Sequence, residues 1–301
     1  MKYLILNLFI MSTLSISAQH WVDTVLYPFQ SKHVQLPSGK MHYVDEGKGD
    51  VLLFVHGTPT WSFLYRDFVK ELSESYRCIA IDHLGFGLSE KPAGFEGTPQ
   101  NHSENLAAFI TALNLKDITL VVHDFGGSIG LGAALQQPDR IKNVVLFNSW
   151  LWSTKEDPMA QEIDGLLNSE AGQQYYLEQN YSVQVLLKQA FIDPSKLTDE
   201  VHQQYLSPFP DSESRKALLT IGKGFVGASD WYQSLWEKLD ILEDKKWLIL
   251  WGTKDPFLNT SYLDKWKSKL PTAKIKEFDS GHFVQEEKTA EAIVAMKRFL
   301  D

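Results

Sequence analysis

Residues 118–135 read ITLVVHDFGGSIGLGAAL, and this stretch decides the fold. Its first five residues are apolar or β-branched, as in a strand that is buried on both faces. Two polar residues, Phe125 and two glycines come next, and then a helix rich in small residues that ends before Pro138. A strand, a sharp turn and a close-packed helix lift the turning residue out of the sheet, beside the free N–H groups of the helix N-terminus.

Two residues of this turn are candidate nucleophiles. Residues 126–130 match the serine-hydrolase pattern G-x-S-x-G, which would make Ser128 the nucleophile. The turning residue must follow the strand directly, however, and Asp124 holds that position, whereas Ser128 lies a full turn into the helix. Gly126 and Gly127 also stand where crowding after Asp124 leaves no room for a Cβ. We therefore predict that Asp124 is the nucleophile, with an ordinary helix N-cap as its alternative role.

Length and composition indicate one large α/β domain with an insertion, or two small domains. The chain has 301 residues, of which 44% are hydrophobic and 22% charged, as in ordinary soluble globular proteins. A net charge of −9 at pH 7 repels polyphosphates, so a nucleic-acid partner is not expected. Some of the nine Trp and 17 Phe should line an apolar pocket, which favours a small apolar substrate. The sequence carries no signal for an oligomeric state.

Residues 1–18 are predicted to be a secretory signal peptide. They combine a basic start at Lys2, an apolar run and small residues up to Ala18. Because the apolar run is short for a membrane span, an uncleaved anchor is the weaker alternative, and no stable membrane insertion is expected after cleavage. We therefore expect an exported protein, periplasmic or secreted. Its single cysteine, Cys78, cannot form an internal disulfide.

The remaining chain alternates strands with helices, which predicts an α/β fold with a mostly parallel central sheet flanked by helices. Strands are predicted at about 34–36, 41–44, 51–55, 77–81, 118–123, 144–148, 247–251 and 274–278, and helices at about 63–72, 103–113 and 289–300. Between the predicted strands at 144–148 and 247–251 the chain has one long segment without strand pattern, which is too long for a loop. We predict a helical cap inserted at 150–239 into a core formed by 19–149 and 240–301.

Polar residues follow the carboxyl ends of the predicted strands, where open parallel sheets place their chemistry. They are Thr58, Asp82, His83, Asp124, Asn148, Asp255 and His282. Among them a carboxylate nucleophile, a second carboxylate and a histidine occur in the chain order nucleophile, acid and base. These three residues are Asp124, Asp255 and His282. Histidines without ligand spacing and the lack of a thiol cluster give no support to a metal site, and no cofactor is implied.

The chain resembles the haloalkane dehalogenase group of the α/β-hydrolase fold. The matching pieces are HGTPTWSFLYR (56–66), DHLGFGLS (82–89), HDFGG (123–127), SPFP (207–210), SDW (229–231), WGTKDP (251–256) and GHF (281–283). The resemblance covers essentially the whole chain after the signal peptide. Its core motifs are shared with epoxide hydrolases, so they are highly specific for the fold and less so for the reaction.

The resemblance implies a hydrolase that cleaves carbon–halogen bonds in small apolar substrates. Asp124 would attack a carbon atom and form an alkyl-enzyme ester. His282 would then activate water to hydrolyse the ester, with Asp255 holding the imidazole tautomer. Backbone N–H groups of Thr58 and Phe125 would form the oxyanion hole.

Two positions depart from the pattern of the dehalogenase group. The residue after the nucleophile is usually a Trp whose indole N–H binds the leaving halide, and here it is Phe125, which has no donor. The position after His56-Gly57 usually carries Asn or Glu, and here it is Thr58. An indole N–H of Trp150, Trp152 or Trp231 in the cap could replace the missing ligand, with packing as the alternative role of each.

Three alternative functions follow from the same residues. An epoxide hydrolase would use the same triad, with a cap tyrosine donating to the epoxide oxygen. The candidate tyrosines are Tyr175, Tyr176, Tyr181, Tyr205 and Tyr232. Ester or lactone cleavage on this scaffold is the second alternative. A non-catalytic binding protein that keeps the fold is the third, and the complete set of Asp124, Asp255 and His282 argues against it.

Overall fold

The centre of the fold is an eight-stranded sheet, seen in a computed structural model that describes residues 20–301. Its strands are β1 (Lys32–Leu36), β2 (Gly39–Glu46), β3 (Val51–Val55), β4 (Arg77–Ile81), β5 (Ile118–Val122), β6 (Ile141–Phe147), β7 (Lys246–Gly252) and β8 (Lys274–Phe278). Their order in the sheet is β1-β2-β4-β3-β5-β6-β7-β8. β2 pairs antiparallel with β1 and β4, and all other pairs are parallel. The predicted signal peptide at 1–18 lies outside the described residues.

The described residues also form helices, which lie beside the sheet or in the segment between β6 and β7. They are α1 (Arg66–Leu72), α2 (Pro99–Ala112), α3 (Phe125–Gln136), α4 (Pro158–Asn168), α5 (Glu170–Gln179), α6 (Leu187–Gln189), α7 (Asp199–Leu206), α8 (Ser212–Gly227), α9 (Ser229–Glu237), α10 (Thr260–Lys269), α11 (Val284–Glu287) and α12 (Thr289–Leu300). Within 20–301, none of them has both the length and the apolar character needed to cross a bilayer.

The middle of the sheet explains the long apolar runs of the sequence. β3 and β5 pair there, and every residue of both strands is buried. α3 is buried from Phe125 to Ala134, so it has no polar face. Its small residues allow it to lie close to β5, because a Cβ on Gly130 would come within 2.7 Å of a Val122 side-chain carbon. This close packing fixes the start of α3 above the sheet edge.

Several predicted boundaries differ from the structure, and two of these differences have identifiable reasons. α2 begins at Pro99 instead of residue 103, because Thr98 caps it and accepts the Asn101 N–H at 3.2 Å. β6 begins at Ile141 instead of residue 144, and its polar Asn143 is accommodated by donating to Thr119 on β5 at 3.0 Å. In both cases polar residues at the start of the element interrupt the apolar pattern from which its beginning is predicted.

Between β6 and β7 the chain is helical, and we call residues 150–239 the cap. Its helices are α4 to α9, and α4, α5 and α8 pack against one another. Ser182–Leu186 form a π-helical segment directly before α6. π-Helical turns are rare and often occur at functional sites.

A buried ion pair connects the cap to the core. Arg66 donates to both carboxylate oxygens of Glu286, at 2.6 and 2.7 Å, and the hydroxyl of the cap residue Tyr205 donates to the same carboxylate. All three side chains are buried. The indole of Trp61 adds a bond to the carbonyl oxygen of Gln204, at 2.9 Å. Glu286 therefore helps to hold α7 against the core.

We predict that Glu286→Ala lowers the free energy of unfolding by about 3–5 kcal/mol, because it leaves the Arg66 guanidinium buried without its counter-ion. Urea denaturation measures the change. The control is Glu213→Ala, which breaks an ion pair with Lys216 whose side chains are 74% and 60% exposed, and it should leave stability unchanged. Equal losses in both variants would contradict the importance of the buried pair.

Candidate active site

The turn after β5 holds Asp124 in a strained conformation. Its φ is 54° and its ψ is −133°, a region that a residue with a side chain rarely adopts. A Cβ on Gly126 would collide with the carbonyl oxygen of Val55, and a Cβ on Gly57 would collide with the Asp124 carboxylate. The neighbouring glycines are therefore required by the close approach of backbone around this one side chain.

Ser128 does not share this position. It lies inside α3, is fully buried, and its hydroxyl donates to the carbonyl oxygen of Phe125 at 3.1 Å. Its role is within the helix, as the preference for Asp124 over Ser128 predicts.

His282 lies between two carboxylates. Its Nε2 is 3.5 Å from Oδ2 of Asp124, and its Nδ1 is 2.7 Å from Oδ2 of Asp255. All three residues are at least nine-tenths buried. The loops after β5, β7 and β8 thus bring together residues that are far apart in sequence. The arrangement suits a nucleophilic carboxylate with an adjacent base that a second carboxylate orients.

Four hydrogen bonds hold the Asp255 carboxylate. Oδ1 accepts the N–H groups of Phe257 and Leu258, at 2.8 and 3.0 Å. Oδ2 accepts the side-chain amide of Asn148 at 2.8 Å in addition to His282. Asn148 is itself fixed, because its side-chain oxygen accepts the Gly252 N–H at 2.8 Å. The carboxylate therefore cannot rotate away from the imidazole.

The two carboxylates change the proton affinity of His282. Burial alone lowers the pKa of its imidazole, but the charges of Asp255 and Asp124 outweigh burial and raise the pKa to about 10. The imidazole therefore holds a proton at neutral pH while both partners are charged. Any reaction that neutralises Asp124 removes part of this stabilisation and lowers the pKa of His282.

Two backbone N–H groups lie near Asp124, and one of them is bonded to its carboxylate. The backbone N–H of Thr58 donates to Oδ1 of Asp124 at 2.9 Å. Phe125 is the first residue of α3, and the first N–H groups of a helix have no intrahelical acceptor. The two residues predicted to form an oxyanion hole therefore both lie beside the nucleophile, one bonded to its carboxylate and the other next to it in the chain.

The triad opens onto a small apolar cavity of about 90 Å³. Its wall comes from both the core and the cap, and includes Thr58, Phe125, Trp150, Leu167, Tyr176, Ser182, Leu187, Phe225, Phe257 and Phe283. Within the described residues, two buried polar atoms of this wall have no hydrogen-bond partner, namely Thr58 Oγ1 and Trp150 Nε1. The cavity suits a small apolar molecule with one polar or leaving group.

The structure separates the candidate tryptophans. Trp150 lines the cavity, whereas Trp152 packs on Tyr262 and Trp266. Trp231 lies outside the cavity wall, with its ring against Tyr232 at 5.4 Å between centroids. We therefore assign no role in the reaction to Trp231.

The candidate tyrosines separate in the same way. Tyr176 lines the cavity. Tyr205 is bonded to Glu286, and Tyr232 donates to the carbonyl oxygen of Gly224 at 2.9 Å. Tyr175 is exposed, and Tyr181 packs against both Tyr175 and Tyr176.

Besides the bond from Asn148 to Asp255, sequence reasoning does not predict two contacts that position the triad. The backbone N–H of His282 donates to the carbonyl oxygen of Ala190 in the cap, at 2.9 Å. Ser149 donates to the carbonyl oxygen of Asp124 at 2.7 Å. The first is a backbone contact between distant segments, for which the sequence carries no signal. The second could have been suspected from the position of Ser149 at the end of β6.

Comparisons with known proteins identify the family of this fold. The family model described as alpha/beta hydrolase fold matches residues 50–289. A cis-3-alkyl-4-alkyloxetan-2-one decarboxylase of Shewanella oneidensis is 33% identical over 297 residues, covering 93% of this chain and 90% of the relative. Haloalkane dehalogenase 2 of Mycobacterium tuberculosis is 33% identical over 276 residues, covering 88% of this chain and 93% of the relative.

Solved structures give the same result. A mutant of the haloalkane dehalogenase DatA from Agrobacterium tumefaciens superposes with a TM-score of 0.83 at 27% identity. The match covers 93% of this chain and 99% of that chain. The likeness therefore extends through both the core and the cap.

We predict that Asp124→Asn lowers the pKa of His282, because it removes one of the two negative charges beside the imidazole. The expected fall is about 1–3 pH units. An NMR titration of the His282 ring protons measures it. The matched control is Asp230→Asn, which removes a surface carboxylate that is 88% exposed, and should leave that pKa unchanged. An unaltered pKa in Asp124→Asn would show that the two groups are not coupled.

Proposed function

Because this chain belongs to the alpha/beta-hydrolase fold family and is haloalkane dehalogenase-like, we propose that it hydrolyses carbon–halogen bonds of small apolar substrates with Asp124 as nucleophile. The observation that carries this proposal is the position of His282, 3.5 Å from Asp124 and 2.7 Å from Asp255, at the wall of an apolar cavity. A purely structural ion pair would have no need of such a cavity.

The first step is an in-line displacement. An oxygen of the Asp124 carboxylate forms a bond to the carbon, the carbon–halogen bond breaks, and the halide leaves with the electron pair. The product is an ester of Asp124 and a halide ion. The apolar wall excludes water, so the carboxylate reacts without a full hydration shell.

Ester formation prepares the second step. It removes the charge of Asp124, so the pKa of His282 falls, the imidazolium releases its proton to solvent, and the neutral imidazole can then accept a proton from water. The hydroxide attacks the ester carbonyl carbon, and the negative oxygen that develops is held by the N–H groups of Thr58 and Phe125. The imidazolium then gives its proton to the departing oxygen, so the intermediate collapses to the alcohol, and loss of the remaining proton regenerates the Asp124 carboxylate. Asp255 stabilises the imidazole whenever it is charged.

Lactone cleavage is the second candidate, and one observation favours it. The Shewanella relative is named as a decarboxylase of an oxetan-2-one, which is a four-membered lactone. Phe125 lacks the indole N–H that is usual at this position in the dehalogenase group. Attack of Asp124 on the alkyl carbon of such a ring would expel a carboxylate instead of a halide. Epoxide hydrolysis has less support, because four of the five candidate tyrosines lie outside the cavity wall and Tyr176 alone among them lines it.

We also propose that the protein acts outside the cytoplasm, on the pattern of residues 1–18. N-terminal sequencing of the protein from periplasm and culture medium tests this, with a start at Gln19 as the expected result. A start at Met1 in the cytoplasmic fraction would contradict it.

We predict that His282→Ala accumulates the ester on Asp124, because the base for its hydrolysis is missing. After incubation with 1-bromobutane, mass spectrometry should show one added butyl group, located on the peptide with Asp124, and an equivalent amount of bromide released. Incubation with 1,2-epoxybutane or a cis-3,4-dialkyl β-lactone tests the other substrates, which would add their whole mass.

Two controls accompany this experiment. His33→Ala removes a histidine from β1 and should turn over like the unmodified protein, without an adduct. Asp124→Asn combined with His282→Ala should form no adduct. Absence of any adduct in His282→Ala, or an adduct that persists in the double variant, would overturn the assignment of Asp124.

A further inference from the structure

Two buried donors without partners line the same small cavity. Trp150 is 1% exposed, and its indole Nε1 has no acceptor within the described residues. The hydroxyl oxygen of Thr58 is also buried and unpartnered. Leaving a buried polar group unpaired costs on the order of 1–3 kcal/mol, so two such groups around one cavity require an explanation.

The position of Trp150 is fixed by aromatic contacts. Its ring meets Phe125, Phe225 and Tyr232 edge-on, with centroid distances of 4.8, 4.7 and 5.7 Å. These three edge-on contacts hold the indole in place. Thr58 is fixed as well, through the bond from its backbone N–H to Asp124.

Other buried tryptophans show what is usual in this chain. The indoles of Trp61, Trp247 and Trp266 donate to backbone carbonyl oxygens at 2.9, 3.2 and 2.8 Å. Trp251 has an unpartnered indole but does not line the cavity. Trp150 alone among these five both lacks an acceptor and faces the nucleophile's cavity. An unpartnered donor at that place is suited to a ligand that carries negative charge.

We propose that Trp150 Nε1–H and Thr58 Oγ1–H bind the monovalent anion that leaves when Asp124 attacks the substrate. This inference rests on the proposed function and deepens it by naming the leaving-group site. The anion is a halide, or the carboxylate of an opened lactone. Phe125, at the start of α3, provides no side-chain donor. Trp150, which follows β6 and packs edge-on against Phe125, supplies one instead.

Electrostatics favour such a pair. No Lys or Arg belongs to the described cavity wall, and the charge of His282 is held between Asp124 and Asp255, so donors other than these stabilise the departing charge. The charge on Asp124 disappears in the same step in which the leaving group becomes an anion. The total charge of the cavity is therefore constant, and the site needs to hold one negative charge before and after bond breaking.

The test compares leaving groups in Trp150→Phe. With 1-chlorobutane, kcat/KM should fall on the order of 10²–10³-fold, as for loss of one preorganised donor. The fall should be smaller with 1-iodobutane, because iodide is the better leaving group and needs less help. The ratio of kcat/KM for 1-chlorobutane to kcat/KM for 1-iodobutane is therefore lower in the variant than in the unmodified protein. Added sodium bromide also inhibits the variant less strongly. Thr58→Val should shift both readouts in the same direction, on the order of tenfold.

Two further variants separate donor loss from altered packing. Trp152→Phe removes a neighbouring indole that packs on Tyr262 and Trp266, and should behave like the unmodified protein. Phe125→Trp combined with Trp150→Phe exchanges the two rings at constant volume, and should recover part of the chloride reactivity by restoring an indole N–H to the cavity.

The outcomes distinguish this inference from the proposed function. If the unmodified protein releases halide but folded Trp150→Phe and Thr58→Val keep its chloride-to-iodide ratio and bromide inhibition, the inference is wrong. If it releases no halide from any haloalkane, the proposed function is wrong, and cis-3,4-dialkyl β-lactones become the test substrates. Slower ring opening by Trp150→Phe with weaker inhibition by sodium acetate would then support a carboxylate-binding pair, and unchanged values would overturn it. If Trp150→Phe does not fold, Thr58→Val decides.

Discussion

The strained backbone at Asp124 is the constraint on which the rest of the structure depends. A residue with this φ and ψ costs on the order of 1–3 kcal/mol unless its surroundings hold it. Here the Asp124 N–H donates to the carbonyl oxygen of Asn148 at 2.8 Å, and Ser149 and Thr58 bond the carbonyl and carboxylate. Holding one side chain in this way requires the ends of β3, β5 and β6 to meet at one place. The parallel register of these strands, with buried side chains on both faces, brings them together.

The charges of the two carboxylates determine when His282 can act as a base. His282 lies between two carboxylates, and its proton affinity depends on whether both are ionised. Chemistry that consumes the charge of Asp124 therefore changes the protonation of the base at the moment when a base is required. The cap contributes directly, because Ala190 accepts the backbone N–H of His282 and cap side chains close the cavity. Attachment of the cap through Tyr205 and Glu286 thus supports the geometry of the base as well as the stability of the fold.

The sequence was sufficient to predict the sheet and the three residues that meet above it. Asp124 was identified because only one residue can follow a buried strand and precede a helix with two glycines, and Asp255 and His282 because they follow later strands. The start of α2 was missed because its first turn is polar. The sequence does not show that Trp150 lines the cavity and Trp231 does not, because this depends on how the cap helices pack and not on local pattern. The bond from Asn148 to Asp255 does not follow from the sequence either, because it joins the loops after β6 and β7, whose side chains meet only in the folded sheet.

A single-turnover reaction in H₂¹⁸O tests most directly whether Asp124 is the nucleophile. With enzyme in excess over 1-bromobutane, a covalent ester on Asp124 predicts that the first butanol formed carries ordinary oxygen from the carboxylate, and that the peptide with Asp124 gains ¹⁸O. Direct attack of water on the substrate would place ¹⁸O in the alcohol and leave Asp124 unlabelled. That result would contradict the covalent mechanism and, with it, the link between ester formation and the protonation of His282.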